Sequence, residues 1–201
     1  CTTMLSRSIK LPVTTFITPI CKFLLKIGVS ANAITVLGTV ATAITSVLLI
    51  PSGHLFASSL LISSFVLFDL FDGTMARISE KGTNKFGALL DSTLDRISDG
   101  AILISLAWYL HKSGSTLEIV VYLNVLLGFL ISYIRAKAES LDIECSGGFA
   151  ERTERLIITL LSIGFAGLGM PYSLAIGMWI LVVASAFTVL QRMSIVYKAG
   201  R

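Results

Sequence analysis

Charge is what this sequence has least of: Asp, Glu, Lys and Arg make up only 14% of its 201 residues, against roughly 25% in a typical soluble domain. Proline is also scarce, with 4 residues, and no long polar block occurs, which excludes a collagen-like chain, a disordered chain and a sizeable second soluble domain. The 3 cysteines imply no disulfide framework. With 54% hydrophobic residues, residues 1–201 are predicted to form a single membrane domain.

Six uncharged stretches follow one another along the chain, and they predict six transmembrane helices within residues 34–198. The stretches are Ile34–Ile50, His54–Phe68, Gly100–Leu110, Ile119–Ile134, Leu156–Met170 and Tyr172–Leu190. Several are shorter than the roughly 20 residues that cross a bilayer core of about 30 Å, so their helices are expected to extend into charged flanks. We expect the second helix to continue through Asp69 and Asp72 to Arg77, and the third to begin near Phe86.

The N-terminal segment, residues 1–33, is predicted to form an amphipathic helix that lies in the headgroup plane. Lys22 and Lys26 interrupt its apolar run, so it is expected to be neither a transmembrane span nor a signal peptide. Its apolar residues recur at helical spacing: Phe16, Ile17, Ile20, Phe23, Leu24 and Ile27. The predicted fold class is therefore all-α integral membrane, with six transmembrane helices and an N-terminal interfacial amphipathic helix.

The basic residues give the orientation, because Lys and Arg accumulate in the cytoplasmic connections of membrane proteins. With six spans and a cytoplasmic N-terminus, only Lys112 lies clearly outside. On or near the cytoplasmic face lie Arg7, Lys10, Lys22, Lys26, Arg77, Lys81, Lys85, Arg135, Lys137, Arg152, Arg155, Arg192, Lys198 and Arg201. The net charge of +4 therefore reflects topology and anion binding, and no nucleic-acid partner is expected.

Four acids indicate a metal site at this face. Asp69 and Asp72 are three residues apart and Asp91 and Asp95 four apart, so each pair shares one helix face. Uncompensated charge in a membrane segment normally marks a functional site, and oxygen-only ligation suits Mg²⁺ or Mn²⁺. Asp99 continues the second face by one turn, but it is equally explained as a structural acid paired with a basic residue of another helix, and it is left outside the site.

These residues resemble the signature of the CDP-alcohol phosphatidyltransferases. The matching pattern is Asp69-x-x-Asp72-Gly73-x-x-Ala76-Arg77, then nine residues, then Gly87-x-x-x-Asp91-x-x-x-Asp95. The resemblance implies transfer of a phosphatidyl group from CDP-diacylglycerol to an alcohol with release of CMP, at the cytoplasmic surface of a bacterial cell membrane. It also implies a homodimer and two divalent ions, Mg²⁺ or Mn²⁺, per site.

The same resemblance assigns roles to individual residues. Asp69, Asp72, Asp91 and Asp95 would bind the metal ions, and Asp95 would also be the general base or lie closest to it. The implied nucleotide contacts are Asn32, Asp69, Gly73, Thr74 and Arg77. For the segment that begins at Ser30, a helix cap with no ligand is as good an explanation as a nucleotide contact.

A second group of residues is basic and indicates an acceptor that carries a phosphate, since the arginine fork matches phosphate oxygens. Part of this charge is equally explained by the positive-inside rule. The expected acceptor-phosphate residues are Ser132, Arg135, Lys137, Arg152, Arg155 and Arg192. Residues 132–139 and 147–155 look like those of the actinobacterial phosphatidylinositol-phosphate synthases, which implies myo-inositol 1-phosphate as acceptor.

Other functions remain open at this stage. Glycerol 3-phosphate, inositol or serine would be alternative acceptors within the same class. An intramembrane prenyltransferase also places aspartates and Mg²⁺ around a pyrophosphate, although the Asp-Gly-x-x-Ala-Arg motif argues against it. An ion transporter is disfavoured because the acids gather at one face.

Overall fold

The computed structural model describes residues 30–66, 85–145, 148 and 150–199, together with the isolated positions 19, 21 and 26. Six α-helices and no strand occur within these residues, which confirms the all-α fold class. The helices are Ala31–Leu49 (α1), Leu55–Val66 (α2), Lys85–Lys112 (α3), Leu117–Glu139 (α4), Arg152–Gly167 (α5) and Ser173–Ala199 (α6).

Each helix contains most of one uncharged stretch and extends beyond it where the flanks permit. The third helix was expected to begin near Phe86. In the structure α3 begins at Lys85 and runs without a break past Asp91, Asp95 and Asp99. The expected continuation of α2 toward Arg77 lies outside the described residues. Within the described part of the chain, α1, α4 and α6 are long and apolar enough to cross a membrane, while α2 is apolar but shorter. The count of six spans stays a prediction.

Most of the predicted interfacial helix also lies outside the described residues. Of its positions before Ser30, the structure describes only Pro19 and Lys26, which are exposed, and Cys21, which is buried. Burial raises the pKa of the Cys21 thiol, so this side chain is uncharged at neutral pH. Cys21 and Cys145, the two cysteines among the described residues, are both free thiols.

The chain divides into two compact units, one formed by residues 1–44 and 61–98 and the other by residues 45–60 and 99–201. We call them the first and second units. In the second unit, α4 and α6 pack along each other, and α5 packs on α6. Its buried core includes Ile102 and Leu106 of α3, Val121 of α4, Ile163 of α5 and Met178 of α6. Large apolar side chains such as Leu190 point outward instead, as expected for helices that face lipid.

Small and polar side chains bring the helices of the second unit close together. Ser59 of α2 donates a hydrogen bond to the carbonyl oxygen of Leu160 in α5 at 2.7 Å. Asn124 of α4 donates to the carbonyl oxygen of Met178 in α6 at 3.0 Å. Such bonds between helices replace the hydrophobic driving force that is missing among apolar surfaces in lipid.

Two glycines of α5 allow its close approach to α2. A Cβ atom built on Gly164 would lie 3.0 Å from Ser59 Oγ, and one built on Gly167 would lie 2.8 Å from the Cα of Phe56. The second contact involves backbone, which cannot rotate away. Gly164 and Gly167 thus form a pair of small residues at which α2 and α5 pack closely.

We therefore predict that Gly167→Ala lowers stability by about 1–3 kcal/mol, because the added methyl group forces α2 and α5 apart. The measurement is the thermal unfolding midpoint of the purified protein in detergent. Gly100→Ala is the matched control: Gly100 lies within α3, and no atom of the described residues comes within 4 Å of the added Cβ. This control should be neutral or gain about 0.5–1 kcal/mol in helix propensity. Equal midpoints for both variants would contradict the packing argument.

Candidate active site

The acidic half of the candidate site is described for one of its two aspartate pairs. Asp91 and Asp95 both lie on α3 of the first unit, one turn apart on the same face, as the spacing predicted. Asp91 is exposed, whereas the Asp95 side chain is 17% exposed and its Oδ2 lies 3.9 Å from Arg96 Nη2. The remaining residues predicted for this half, Asp69, Asp72, Gly73, Thr74 and Arg77, lie outside the described residues.

The start of α1 shows which residue caps this helix. Ser30 Oγ accepts a hydrogen bond from the backbone N–H of Ala33 at 3.2 Å, so Ser30 is the capping residue. Asn32 lies in the first turn, half-buried, and its side chain is not needed for the cap. The cap thus explains Ser30 without a ligand and leaves Asn32 as the nucleotide contact still predicted in this segment.

In the second unit, Asp99 brings together two of the predicted acceptor-site arginines. Asp99 Oδ1 lies 3.4 Å from Arg152 Nε, and Asp99 Oδ2 lies 3.7 Å from Arg155 Nη2. Arg152 and Arg155 are three residues apart at the start of α5, so both side chains project from one face toward α3. One carboxylate therefore serves two guanidinium groups.

Arg155 has further partners that fix its orientation. Its Nη1 donates to the carbonyl oxygen of Ala150 at 3.0 Å, in the loop that precedes α5. The guanidinium lies over Gly128 of α4, where a Cβ atom would come within 3.7 Å of Nε. Because these contacts leave the Arg155 side chain only 12% exposed, it is held more firmly than Arg152, which is 25% exposed.

The end of α4 carries the other predicted acceptor-site residues, and their exposure differs. Arg135 and Lys137 are exposed, and Arg135 Nε pairs with Glu139 Oε1 at 2.9 Å. Ser132 is half-buried and donates to the carbonyl oxygen of Gly128 at 3.1 Å. Because the ion pair between Arg135 and Glu139 is exposed, it contributes little to stability, and Arg135 can exchange Glu139 for an anion.

Arg192 is the most enclosed of the predicted residues. Its side chain on α6 is buried, and its Nη1 donates to the carbonyl oxygen of Ile131 in α4 at 2.7 Å. Arg192 thus links α6 to α4 at Ile131, the residue that precedes Ser132 in sequence. A phosphate contact by its remaining nitrogens stays a prediction.

The loop that leads into α5 is held by a residue that the sequence did not single out, Thr188 of α6. Its Oγ1 accepts a hydrogen bond from the backbone N–H of Ala150 at 3.0 Å and donates to the carbonyl oxygen of Ala184 at 2.8 Å. Its methyl group packs on Gly148, which adopts a φ of 146°. A lone threonine in an apolar helix carries no sequence signal, whereas Asp99 had the helical spacing from Asp95 as its signal.

The chain belongs to the CDP-alcohol phosphatidyltransferase family, whose sequence pattern matches residues 28–190. This match covers all six described helices except the last turns of α6. The family assignment that the aspartate motif suggested is therefore confirmed, and with it the membrane character of the all-helical fold.

Among its relatives is the phosphatidylinositol phosphate synthase of Mycobacterium tuberculosis, 43% identical over 185 residues, with 90% of this chain and 85% of the relative covered. A crystal structure of the synthase from M. tuberculosis with CDP-DAG bound superimposes with a TM-score of 0.85 at 42% identity, covering 90% of this chain and 93% of that chain. Another, in complex with manganese and citrate, gives a TM-score of 0.85 at 41% identity and covers 90% of this chain and 88% of that chain.

We predict that Thr188→Val loosens the loop before α5, because the buried N–H of Ala150 loses its acceptor while side-chain volume is kept. The free energy that holds this loop in place should fall by about 1–3 kcal/mol. Hydrogen–deuterium exchange followed by mass spectrometry should show faster exchange in peptides that contain residues 148–152. Thr188→Ser keeps the hydroxyl group and should exchange like the unchanged protein. Loosening by both variants alike would assign the effect to the lost shape of the threonine and not to its hydrogen bond.

Proposed function

We propose that this protein transfers a phosphatidyl group from CDP-diacylglycerol to myo-inositol 1-phosphate and releases phosphatidylinositol phosphate and CMP. The family membership supports the donor and the reaction, and the mycobacterial synthase with CDP-DAG bound shares fold and 42% identity with this chain. The observation that carries the acceptor is the arginine pair Arg152 and Arg155 at the start of α5, held by Asp99. Two guanidinium groups on one face suit a phosphate better than they suit a neutral hydroxyl compound.

The carboxylates of the acidic half fit a hard divalent cation. Asp91 and Asp95 present only oxygen donors from one helix face, and they are proposed to bind Mg²⁺ or Mn²⁺ together with Asp69 and Asp72, as two ions per site. Manganese in the structure of the mycobacterial synthase supports this choice. Bound there, the ions would supply positive charge for the pyrophosphate of the donor.

Asp95 is proposed as the general base. The hydroxyl oxygen of the acceptor forms a new bond to the phosphorus that carries the diacylglycerol, the bond from that phosphorus to the CMP oxygen breaks, and the hydroxyl proton passes to the Asp95 carboxylate. Asp95 is half-buried, one turn further into α3 than the exposed Asp91, which favours it over Asp91 for a role beyond metal binding.

The remaining predicted contacts divide between the two substrates. The proposed nucleotide contacts are Asn32, Asp69, Gly73, Thr74 and Arg77. The proposed acceptor-phosphate contacts are Ser132, Arg135, Lys137, Arg152, Arg155 and Arg192. Within the second set, Arg152 and Arg135 are the more exposed arginines and are proposed to make the direct contacts, while Arg155 and Arg192 also hold neighbouring helices.

The site is proposed to open to the cytoplasm of a bacterial cell, with the N-terminus on the same side, residues 1–33 along the membrane surface and residues 34–198 crossing it six times. The distribution of Lys and Arg supports this orientation. The family resemblance supports a homodimer and one membrane domain over residues 1–201. Because inositol phosphate does not cross a bilayer, inside-out vesicles should be active with added acceptor and sealed right-side-out vesicles inactive.

The acceptor is tested with the purified enzyme, CDP-diacylglycerol and Mg²⁺ or Mn²⁺, by measuring CMP release with each candidate acceptor in turn. We expect myo-inositol 1-phosphate to give the highest kcat/KM, and we expect a chelator to stop CMP release until either metal is restored. A higher kcat/KM with free inositol, serine or glycerol 3-phosphate would overturn the proposed acceptor. Release of pyrophosphate in place of CMP would overturn the reaction class in favour of a prenyltransferase.

We predict that Asp95→Asn lowers kcat at least a hundredfold, since an amide cannot take the hydroxyl proton and general-base catalysis contributes about 10²–10⁴-fold. Binding of Mn²⁺, followed by its electron paramagnetic resonance signal, separates this loss from a loss of metal. Asp91→Asn is the comparison, because it removes a proposed ligand and leaves the base. Near-normal CMP release by Asp95→Asn with metal still bound would refute the assignment of the base.

A further inference from the structure

Asp99 of α3 forms ion pairs with two arginines of α5. It follows Asp95 by one helical turn, yet its two carboxylate oxygens lie 3.4 Å from Arg152 Nε and 3.7 Å from Arg155 Nη2. The Asp99 side chain is 20% exposed and lies in the second unit, together with both arginines. Spacing alone would group it with Asp91 and Asp95, whereas its contacts group it with the basic residues.

We propose that Asp99 is a positioning residue for the acceptor: it orients the guanidinium group of Arg152 for the phosphate of the incoming alcohol. This inference rests on the proposed function, since it requires an acceptor that carries a phosphate. It assigns Asp99 to the acceptor site through Arg152 and not to the metal site.

Arg155 has described contacts besides Asp99, and Arg152 is the more exposed of the two arginines. The Arg155 guanidinium also donates to the carbonyl oxygen of Ala150 and lies over Gly128 of α4. We therefore expect its orientation to persist without the Asp99 carboxylate. Arg152 is the more exposed of the two and occupies the first position of the helix. The Asp99 carboxylate lies 3.4 Å from the Nε edge of Arg152, and this ion-pair contact attracts that edge of the guanidinium group toward α3.

The charges lead to the same assignment. Arg152 and Arg155 project from one face, and without a carboxylate between them their positive charges repel each other in a partly buried place. Asp99, Arg152 and Arg155 together carry one net positive charge, which favours an anion.

The test compares the steady-state kinetics of Asp99→Asn with those of the unchanged enzyme, varying acceptor, donor and Mn²⁺ separately. We expect KM for the acceptor to rise about tenfold, with KM for CDP-diacylglycerol and the Mn²⁺ dependence changed less than about twofold. Asp99→Glu keeps the charge and should recover part of the acceptor KM. The control is Glu118→Gln, which removes an acid paired with His111 at the opposite end of α4 and should leave every KM unchanged.

A double-mutant cycle locates the effect. If Asp99 acts through Arg152, then Asp99→Asn adds little to the acceptor KM of Arg152→Gln, and the two effects are less than additive. Additive effects would overturn the proposal, and so would a shift in the Mn²⁺ dependence, which would make Asp99 a metal ligand. If Asp99→Asn is not recovered folded, Asp99→Glu is measured in its place. Equal changes in the acceptor and donor KM of that variant would mean a merely structural role and would overturn the proposal.

The failure of this inference is distinct from a failure of the proposed function. The unchanged enzyme decides the function, by its preference among the acceptors. If it prefers myo-inositol 1-phosphate and Asp99→Asn leaves the KM for that acceptor unchanged, only the role of Asp99 is wrong. If it prefers an acceptor without phosphate, the proposed acceptor and the inference fall together.

Discussion

A charged group inside an apolar helical bundle has to be paired, because removing it from water costs several kcal/mol that only a partner can offset. The second unit follows this constraint at each described arginine that its helices enclose. Arg155 pairs with Asp99 and the carbonyl oxygen of Ala150, and Arg192 pairs with the carbonyl oxygen of Ile131. The partners come from different helices in each case, so satisfying the charges also fixes the positions of α3, α4, α5 and α6.

Helix α6 shows how one surface serves both stability and the site. Its buried residues recur every three or four positions: Met178, Leu181, Ser185, Thr188 and Arg192. The first two are apolar and pack in the core, while Thr188 and Arg192 bind the backbone of the α5 loop and of α4. The stripe thus changes from apolar to polar, and the side-chain hydrogen bonds of Thr188 and Arg192 to other elements are made toward the end of the helix where the predicted acceptor residues lie.

The sequence predicted the helices better than the contacts between their side chains. Uncharged stretches predict helices because each must be buried in lipid or protein, and α3 began within one residue of its expected start. The partners of Asp99 were undecidable, since helical spacing relates it equally to Asp95 and to any basic residue of another helix. Thr188 was not predictable at all, because its bond to Ala150 joins residues 38 positions apart and depends on how α6 packs. Long-range pairing is a property of the packed helices, which no local pattern encodes.

Arg152 and Arg155 pair with Asp99 and are also proposed to bind the acceptor, and this double role bears on how an acceptor binds. With Asp99 in place, Arg152 and Arg155 are already partly neutralised, so the protein does not have to hold two unpaired positive charges before the acceptor arrives. In the proposed acceptor role, a phosphate that approaches Arg152 meets a guanidinium group already held beside Asp99, so less ordering free energy is lost on binding. The proposed selectivity for a phosphorylated alcohol would then follow from the same pairing that links α3 to α5.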